Sequence, residues 1–208
     1  MKVLVLGANG KVGTQVTKLL LQAGHDVVAF THGKNLLPKT NRLTVIQGDV
    51  KQKADITHAL QGCDAVISTL GSWGTPTKDI LSKGMEQLIP AMQEQGVNRI
   101  VSLTGSAAMV PSDNWSVAGK LARFFLHLIA PKILDDGEQH IALLMASNLE
   151  WTVVRSPVMN NWGVAAYTLT NKLPGALETI NRAAVAEAMV DQLSDQTHLR
   201  QAPHIHRA

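Results

Sequence analysis

The sequence predicts an α/β fold, a parallel sheet covered by helices on both faces, and three observations predict it. Across its 208 residues, short apolar runs alternate with amphipathic ones. The apolar runs are continuous, as in strands buried on both faces. The first run leads directly into a glycine cluster and then into helical periodicity. Right-handed crossovers give such a chain the doubly wound strand order 3-2-1-4-5-6 of a Rossmann-like domain.

The first strand is Lys2 to Leu6. The first helix runs from about Gly10 to Gln22, with Val12, Val16, Leu19 and Leu20 on one face. Gly24 stands where a helix ends in a left-handed residue. Asp26 to Thr31 is the second strand, and a polar turn leads to the third, Leu43 to Gln47. Asp55 to Leu60 is a short helix, and Asp64 to Leu70 is a fourth, apolar strand ending at Gly71. Thr77 to Gln95 is a long amphipathic helix closed by Gly96, and Arg99 to Leu103 is the fifth strand. A loop over 105–117 precedes two helices, Val117 to Ile129 and Asp135 to Ser147. Glu150 to Arg155 is the sixth strand and Asn181 to Leu193 the last helix. The segment 156–180 breaks the alternation, with Pro157, Trp162, Tyr167 and Pro174. It is expected to form loops and a short strand over the ligand cleft, a small substrate-side cap shared with the C-terminal region. No linker or repeat divides the chain, so one domain over 1–208 is expected.

Hydrophobic residues make up 45% of the chain, which excludes a disordered protein. Charged residues are only 17%, which leaves room for an apolar contact face; monomer and homodimer both stay open. The net charge of +3 suits an anionic small ligand, and no Lys/Arg run is dense enough for nucleic acid. Cys63 is the one cysteine, so no intramolecular disulfide can form and a cytoplasmic setting is expected; at the head of a strand it reads as a core residue. Met1-Lys2 lead directly into a core strand, so no signal peptide is expected. The longest apolar stretch, Leu121 to Ile133, is interrupted by Arg123, His127, Pro131 and Lys132; it does not span a bilayer, and no membrane partner is expected. His204 and His206 have chelating spacing without a third ligand, so a mobile or edge-packed tail is expected there and no metal site. Asp135, Asp136 and Glu138 are expected to favour the N-terminus of their own helix.

Gly7-Ala8-Asn9-Gly10-Lys11-Val12-Gly13 carries the clearest functional signal. Strand, glycine turn and helix in that order form a cradle for a dinucleotide pyrophosphate. Gly7 suits a tight turn with positive φ, Gly10 lets a phosphate approach the backbone, and Gly13 lets the helix lie close to the strand. The helix N-terminus adds unpaired N–H groups and a positive dipole end. The end of the second strand, Thr31-His32-Gly33-Lys34, holds no acid for a ribose 2′-hydroxyl. Thr31, His32 and Lys34 suit a 2′-phosphate instead, so NADP(H) is expected over NAD(H). Asp49 can accept from an adenine amino group, or cap the next helix, while Val50 packs on the ring. Leu70, Gly71 and Ser72 are expected to run beneath the ribose and pyrophosphate.

With these residues, the chain resembles the atypical short-chain dehydrogenases/reductases with an NAD(P)H-binding, NmrA-like domain. Within them it is most similar to the flavin reductase/biliverdin-IXβ reductase type. The resemblance is carried by 7–13, by Gly-Asp-Val at 48–50, by Asp-Ala-Val-Ile-Ser-Thr-Leu-Gly at 64–71, by Gly-Val-Asn-Arg-Ile-Val at 96–101, by Leu149 to Pro157 and by Ile180 to Ala186. It implies a reductase carrying hydride from NADPH to a flavin, quinone or similar planar acceptor. It also implies a substrate-side serine or threonine after the fifth strand, where Thr104 and Ser106 stand. Pro157 and Val158 are expected to border the nicotinamide.

The Tyr-x-x-x-Lys pair of short-chain dehydrogenases is absent: Tyr167 is the only tyrosine, and no lysine follows it at that spacing. Ser116 precedes Lys120 at that spacing, but a serine is a poor proton donor. Gly137 stands where related proteins carry a lysine, and Val158 where the flavin reductase type carries a histidine. Free flavin accepts hydride at N5 and can take its proton from solvent, so proximity and stacking suffice for that acceptor. Trp73, Trp115 and Trp162 lie in loops as stacking platforms or packing anchors, and Trp151 is core. The alternative is a non-catalytic NADP(H)-binding redox sensor of the NmrA kind.

Overall fold

Val3, Leu4, Val5 and Leu6 are each fully buried. In the computed structural model, which describes residues 1–33, 37, 38, 40–73, 75–175 and 177–208, they belong to β1 (Lys2–Leu6), near the middle of an eight-stranded sheet. β2 (Asp26–Thr31) lies on one side of β1 with β3 (Leu43–Gln47) beyond it. On the other side follow β4 (Ala65–Ser68), β5 (Arg99–Gly105) and β6 (Glu150–Ser156). All five of these pairings are parallel, so the strand order 3-2-1-4-5-6 stands as expected.

Successive side chains of a strand point to opposite faces, and each face has its own core. Leu4, Leu6, Val66, Ile100, Trp151 and Val153 pack against α2 (Lys53–Leu60), α3 (Ile80–Gln95) and α5 (Pro131–Met145). Val3, Val5, Ile67, Val101, Leu103 and Val154 pack against α1 (Gly13–Gln22) and α6 (Arg182–Asp191). This double burial explains the continuous apolar strands. α1 ends as expected, with Gly24 left-handed and the His25 N–H donating back to the Leu20 carbonyl.

Several boundaries differ for local reasons. α1 starts at Gly13 because the Gly10 N–H donates to the Gly7 carbonyl and closes a turn first. α3 starts at Ile80 because Thr75 and Lys78 bond the carbonyls of Ser72, Thr75 and Thr77 in a polar turn ahead of it. α5 starts at Pro131, a residue preorganised for the first helical turn, directly after α4 (Val117–Ile129). The carboxylates at 135, 136 and 138 therefore do not sit in the first turn of their helix.

The C-terminal tail, expected to be mobile or edge-packed, is a strand. β10 (His204–Arg207) pairs parallel with β6 and antiparallel with β8 (Tyr167–Thr170). The signal was weak because only Ile205 carries the apolar pattern. β7 (Val158–Asn160) and β9 (Thr179–Asn181) form a separate two-stranded parallel sheet beyond the end of β6.

Candidate functional site

β1, β2, β4, β5 and β6 run in parallel, so the segments after them gather at one edge. The chain reverses its direction of travel across the sheet between β1 and β4, and the crevice at such a point is where dinucleotides bind. The glycine turn stands there. Gly7 has φ +74°. A Cβ at Gly13 would lie 2.2 Å from the Gly7 carbonyl oxygen and 2.9 Å from Ala8 Cα, so no other residue fits. Gly10 is exposed, with only the Gly7 carbonyl oxygen near its missing Cβ. Gly10 thus opens the turn to a ligand, and Gly13 closes the helix onto the strand. Asn9 is half-buried, Val12 is buried and Lys11 is exposed. At the start of α1 the Thr14 N–H donates to the Gly10 carbonyl and the Val16 N–H to the Val12 carbonyl, and the positive end of the helix dipole lies at the turn. The cradle fits a pyrophosphate.

Thr69 also shapes the turn, and sequence reasoning missed it. Its hydroxyl donates to the Leu6 carbonyl at 2.8 Å. The same oxygen lies 2.7 Å from where a Gly13 Cβ would be. The two hydroxyl residues Ser68 and Thr69 ending an otherwise apolar run were the available signal.

At the end of β2, Thr31 is 2% exposed and its hydroxyl has no hydrogen-bond partner among the described residues. His32 is exposed beside the left-handed Gly33; Lys34 lies outside the described residues. The Asp49 carboxylate accepts from the Lys51 N–H at 2.9 Å, an Asx turn, while Gln52 occupies the cap position of α2 without a side-chain bond. Val50 is buried in the first core layer.

After β4, Gly71 is exposed and a Cβ on it would meet open space; Leu70 packs against the first core layer. Ser72 is buried, and its hydroxyl donates to Asp136 of α5. Asp136, 3% exposed, also accepts from the Leu81 N–H at 3.1 Å, the Ser82 N–H at 2.8 Å and the Ser82 hydroxyl at 2.6 Å. It therefore serves the N-terminus of α3 rather than that of its own helix, and it ties the segment after β4 to α5. Each carboxylate lone pair finds a donor, which makes the burial of the charge tolerable.

Thr104 and Ser106 follow at β5. Neither hydroxyl has a hydrogen bond to another described residue. Thr104 faces α5: a Cβ on Gly137 would lie 2.8 Å from its Oγ1. The Ser106 N–H donates to the Ser156 carbonyl at 2.8 Å. This bond brings the candidate hydroxyls beside Pro157, which is buried, and Val158, which is 74% exposed. The neighbouring Asn160 is committed to structure, donating to the Thr179 hydroxyl and accepting from the Trp162 N–H.

The groups that titrate abnormally lie behind this edge. His140 is fully buried on α5, with Nε2 2.7 Å from the Ser102 hydroxyl; burial drives its pKa down to about 4, against the pull of Asp136. Burial and then Arg155 push His204 down to about 3. Cys63 is buried, as expected of a core residue, and that burial pushes its thiol up to about 11. Tyr167 donates to Asp191 on the far edge strand, and burial with that bond raises its pKa. It is not the acid of a reductase site. Trp73 and Trp162 are exposed, whereas the Trp115 N–H donates to Asp113. Among the described residues no cluster of His, Cys, Asp or Glu could hold a metal.

The parallel sheet, the crevice beside β1 and the glycine turn define a dinucleotide-binding protein of the Rossmann class. The chain belongs to the NAD(P)H-binding family, whose sequence pattern matches residues 7–196. It is 25% identical over 97% of its length to a 2-alkyl-3-oxoalkanoate reductase of Shewanella oneidensis, of which it spans 55%. It covers only about a third of the hydroxysteroid dehydrogenases that it also matches. A short-chain dehydrogenase/reductase of Veillonella parvula, solved with NADP, superposes with a TM-score of 0.81 at 18% identity, over 99% of this chain and 94% of that one. The anaerobillin reductase ChuY of Escherichia coli O157:H7 superposes at 0.76 and 17% identity, over 100% and 97%. At these identities the two structures speak for the fold.

Proposed function

We propose that this chain is an NADP(H)-dependent reductase that passes hydride to a flavin, quinone or similar planar acceptor, in the cytoplasm. One observation carries the reading: the glycine turn and the hydroxyls of Thr104 and Ser106, unbonded among the described residues, share one sheet edge, while the only tyrosine is held by Asp191 elsewhere. A nicotinamide bound in this cleft would supply the hydride.

The chain's own part is to bind and orient. Gly7, Asn9, Gly10, Lys11, Val12 and Gly13 take the pyrophosphate, and Thr31, His32 and Lys34 the 2′-phosphate. Asp49, Val50, Leu70, Gly71 and Ser72 border the adenosine, with Ser72 contributing backbone because its hydroxyl belongs to Asp136. Thr104 and Ser106 donate to the nicotinamide amide or an acceptor carbonyl beside Pro157 and Val158. The segment 156–180 forms the substrate-side cap. With no tyrosine acid, an acceptor that draws its proton from water suits the site better than a ketone.

The test follows oxidation of NADPH and of NADH with riboflavin, FMN and menadione in turn, alongside cofactor dissociation constants. Turnover above background and tighter NADPH binding are expected. NADP(H) binding without any turnover would favour a redox sensor, which the unassisted hydroxyls also allow. Tighter NADH binding would overturn the 2′-phosphate assignment.

A further inference from the structure

α4 turns an apolar stripe outward. Val117, Leu121, Phe124, Phe125, Leu128 and Ile129 recur at helical spacing, and each keeps more than half of its surface exposed. Phe124 and Phe125 meet edge to face within the stripe. The opposite side of the helix holds Arg123, paired with Glu138 of α5. A contiguous apolar strip of this extent marks a contact surface.

Charge indicates what the strip meets. From Asn114 to Leu134 the chain contains no Asp or Glu, but Lys120, Arg123 and Lys132. Lys120 flanks the stripe and Lys132 follows its end; both are exposed, and neither has an ion pair with another described residue. A second copy docked stripe to stripe on a two-fold axis would bring no carboxylate of its own α4 to these lysines, and the neighbouring Asp135 and Glu138 of α5 already lie against His127 and Arg123 of their own chain. An anionic lipid surface satisfies both features, its headgroups meeting the lysines and its acyl boundary taking the phenylalanines.

We propose that α4 is an in-plane contact that docks this protein on anionic bilayer surfaces. The helix lies along the membrane, not across it: its 13 residues span only about 20 Å, and no helix of the described residues is long and apolar enough to cross. The polar breaks at Arg123, His127, Pro131 and Lys132 exclude a spanning helix but leave an in-plane one open. α5 follows α4 directly and its Asp136 holds Ser72 beyond β4. The C-terminal end of α4 therefore lies toward the sheet edge that carries the glycine turn. The proposal stands independently of which acceptor is reduced.

The test is co-sedimentation of the full chain with phosphatidylglycerol-containing vesicles and with pure phosphatidylcholine vesicles, alongside light scattering for oligomeric state. Binding to the anionic vesicles alone, weakened by salt, is expected. Phe124→Ser with Phe125→Ser should reduce the bound fraction to background, with cofactor binding retained. Lys120→Gln, which leaves the stripe intact, should lower the partition coefficient about fivefold, the effect of one cation near an anionic surface; it keeps the test decisive if the double variant fails to fold. Absence of binding to anionic vesicles, or equal binding to neutral ones, overturns the proposal. So does a dimer that the phenylalanine substitutions dissociate, which would assign the stripe to a second copy.

Discussion

Arg155 on β6 and Asp113 in the loop after β5 form a buried, two-pronged ion pair, with Nη2 2.7 Å from Oδ1 and side-chain exposures of 1% and 4%. Arg155 also donates to the carbonyls of Ala202 and Ala108. One guanidinium thus fastens the loop that follows Thr104 and Ser106 to the strand that leads to Pro157. Burial opposes the charged Asp113, but its bonds from Arg155, the Val110 N–H and Trp115 prevail and hold its pKa below the usual value. Asp113→Ala leaves the arginine buried and unpaired, so a loss of about 3–5 kcal/mol is expected. Urea unfolding of the variant measures it; a loss under ~1 kcal/mol, typical of an exposed pair, would count against a fastening role.

Gly137 and Thr104 are a second coupled pair. The Thr104 hydroxyl occupies the space that a side chain at 137 would need, with Ala108 Cβ 3.2 Å away on another side. Gly137→Ala should cost about 1–3 kcal/mol through overpacking, in spite of alanine's better helix propensity. Thr104→Ala opens the same space. In a double-mutant cycle the second substitution should recover much of the first one's cost. Additive losses would show that Thr104 does not set the residue at 137.

The core and the glycine turn were legible because each rests on local periodicity: apolar strands, the 3.6-residue pattern and glycines whose spacing matches a strand-turn-helix. What was hidden is what depends on partners distant in sequence. Ser72 reads as a ligand-side serine until Asp136, 64 residues away, is seen to hold it. Asp136 reads as favouring its own helix, but Pro131 starts that helix a turn earlier. Arg155 was the clue left unused, since a charge at the end of a strand buried on both faces demands an acid. β10 was missed because its histidines mask the alternation that its place beside β6 imposes.

The buried histidines make acid sensitivity calculable in sign. An unfolded histidine takes up its proton near its ordinary value of 6.5, whereas folded His140 does so at about 4 and His204 at about 3. Between those values the unfolded chain binds more protons, so acidification favours unfolding. Their stabilising contribution is complete above about pH 6.5 and is lost as the pH falls toward the folded pKa values. For His140 the loss is on the order of 3 kcal/mol. His140→Gln removes one titrating group, so the urea midpoint of the variant should fall less steeply across this window. An unchanged slope would place the acid sensitivity in other groups.

Gly10 and Gly13 should fail differently when changed to alanine. At Gly13 the added methyl meets backbone at 2.2 and 2.9 Å, which cannot give way without moving α1 off β1. At Gly10 the methyl meets one carbonyl oxygen at 3.0 Å and otherwise projects from an exposed turn. Gly13→Ala is therefore expected to lower the unfolding temperature and the cofactor affinity together. Gly10→Ala is expected to leave the unfolding temperature of the cofactor-free protein nearly unchanged. A clash of about 1–3 kcal/mol between its methyl and a phosphate would weaken NADPH binding by about five- to 150-fold. Isothermal titration and thermal unfolding of the two variants separate these outcomes. Undiminished NADPH affinity in Gly10→Ala would move the pyrophosphate away from this turn.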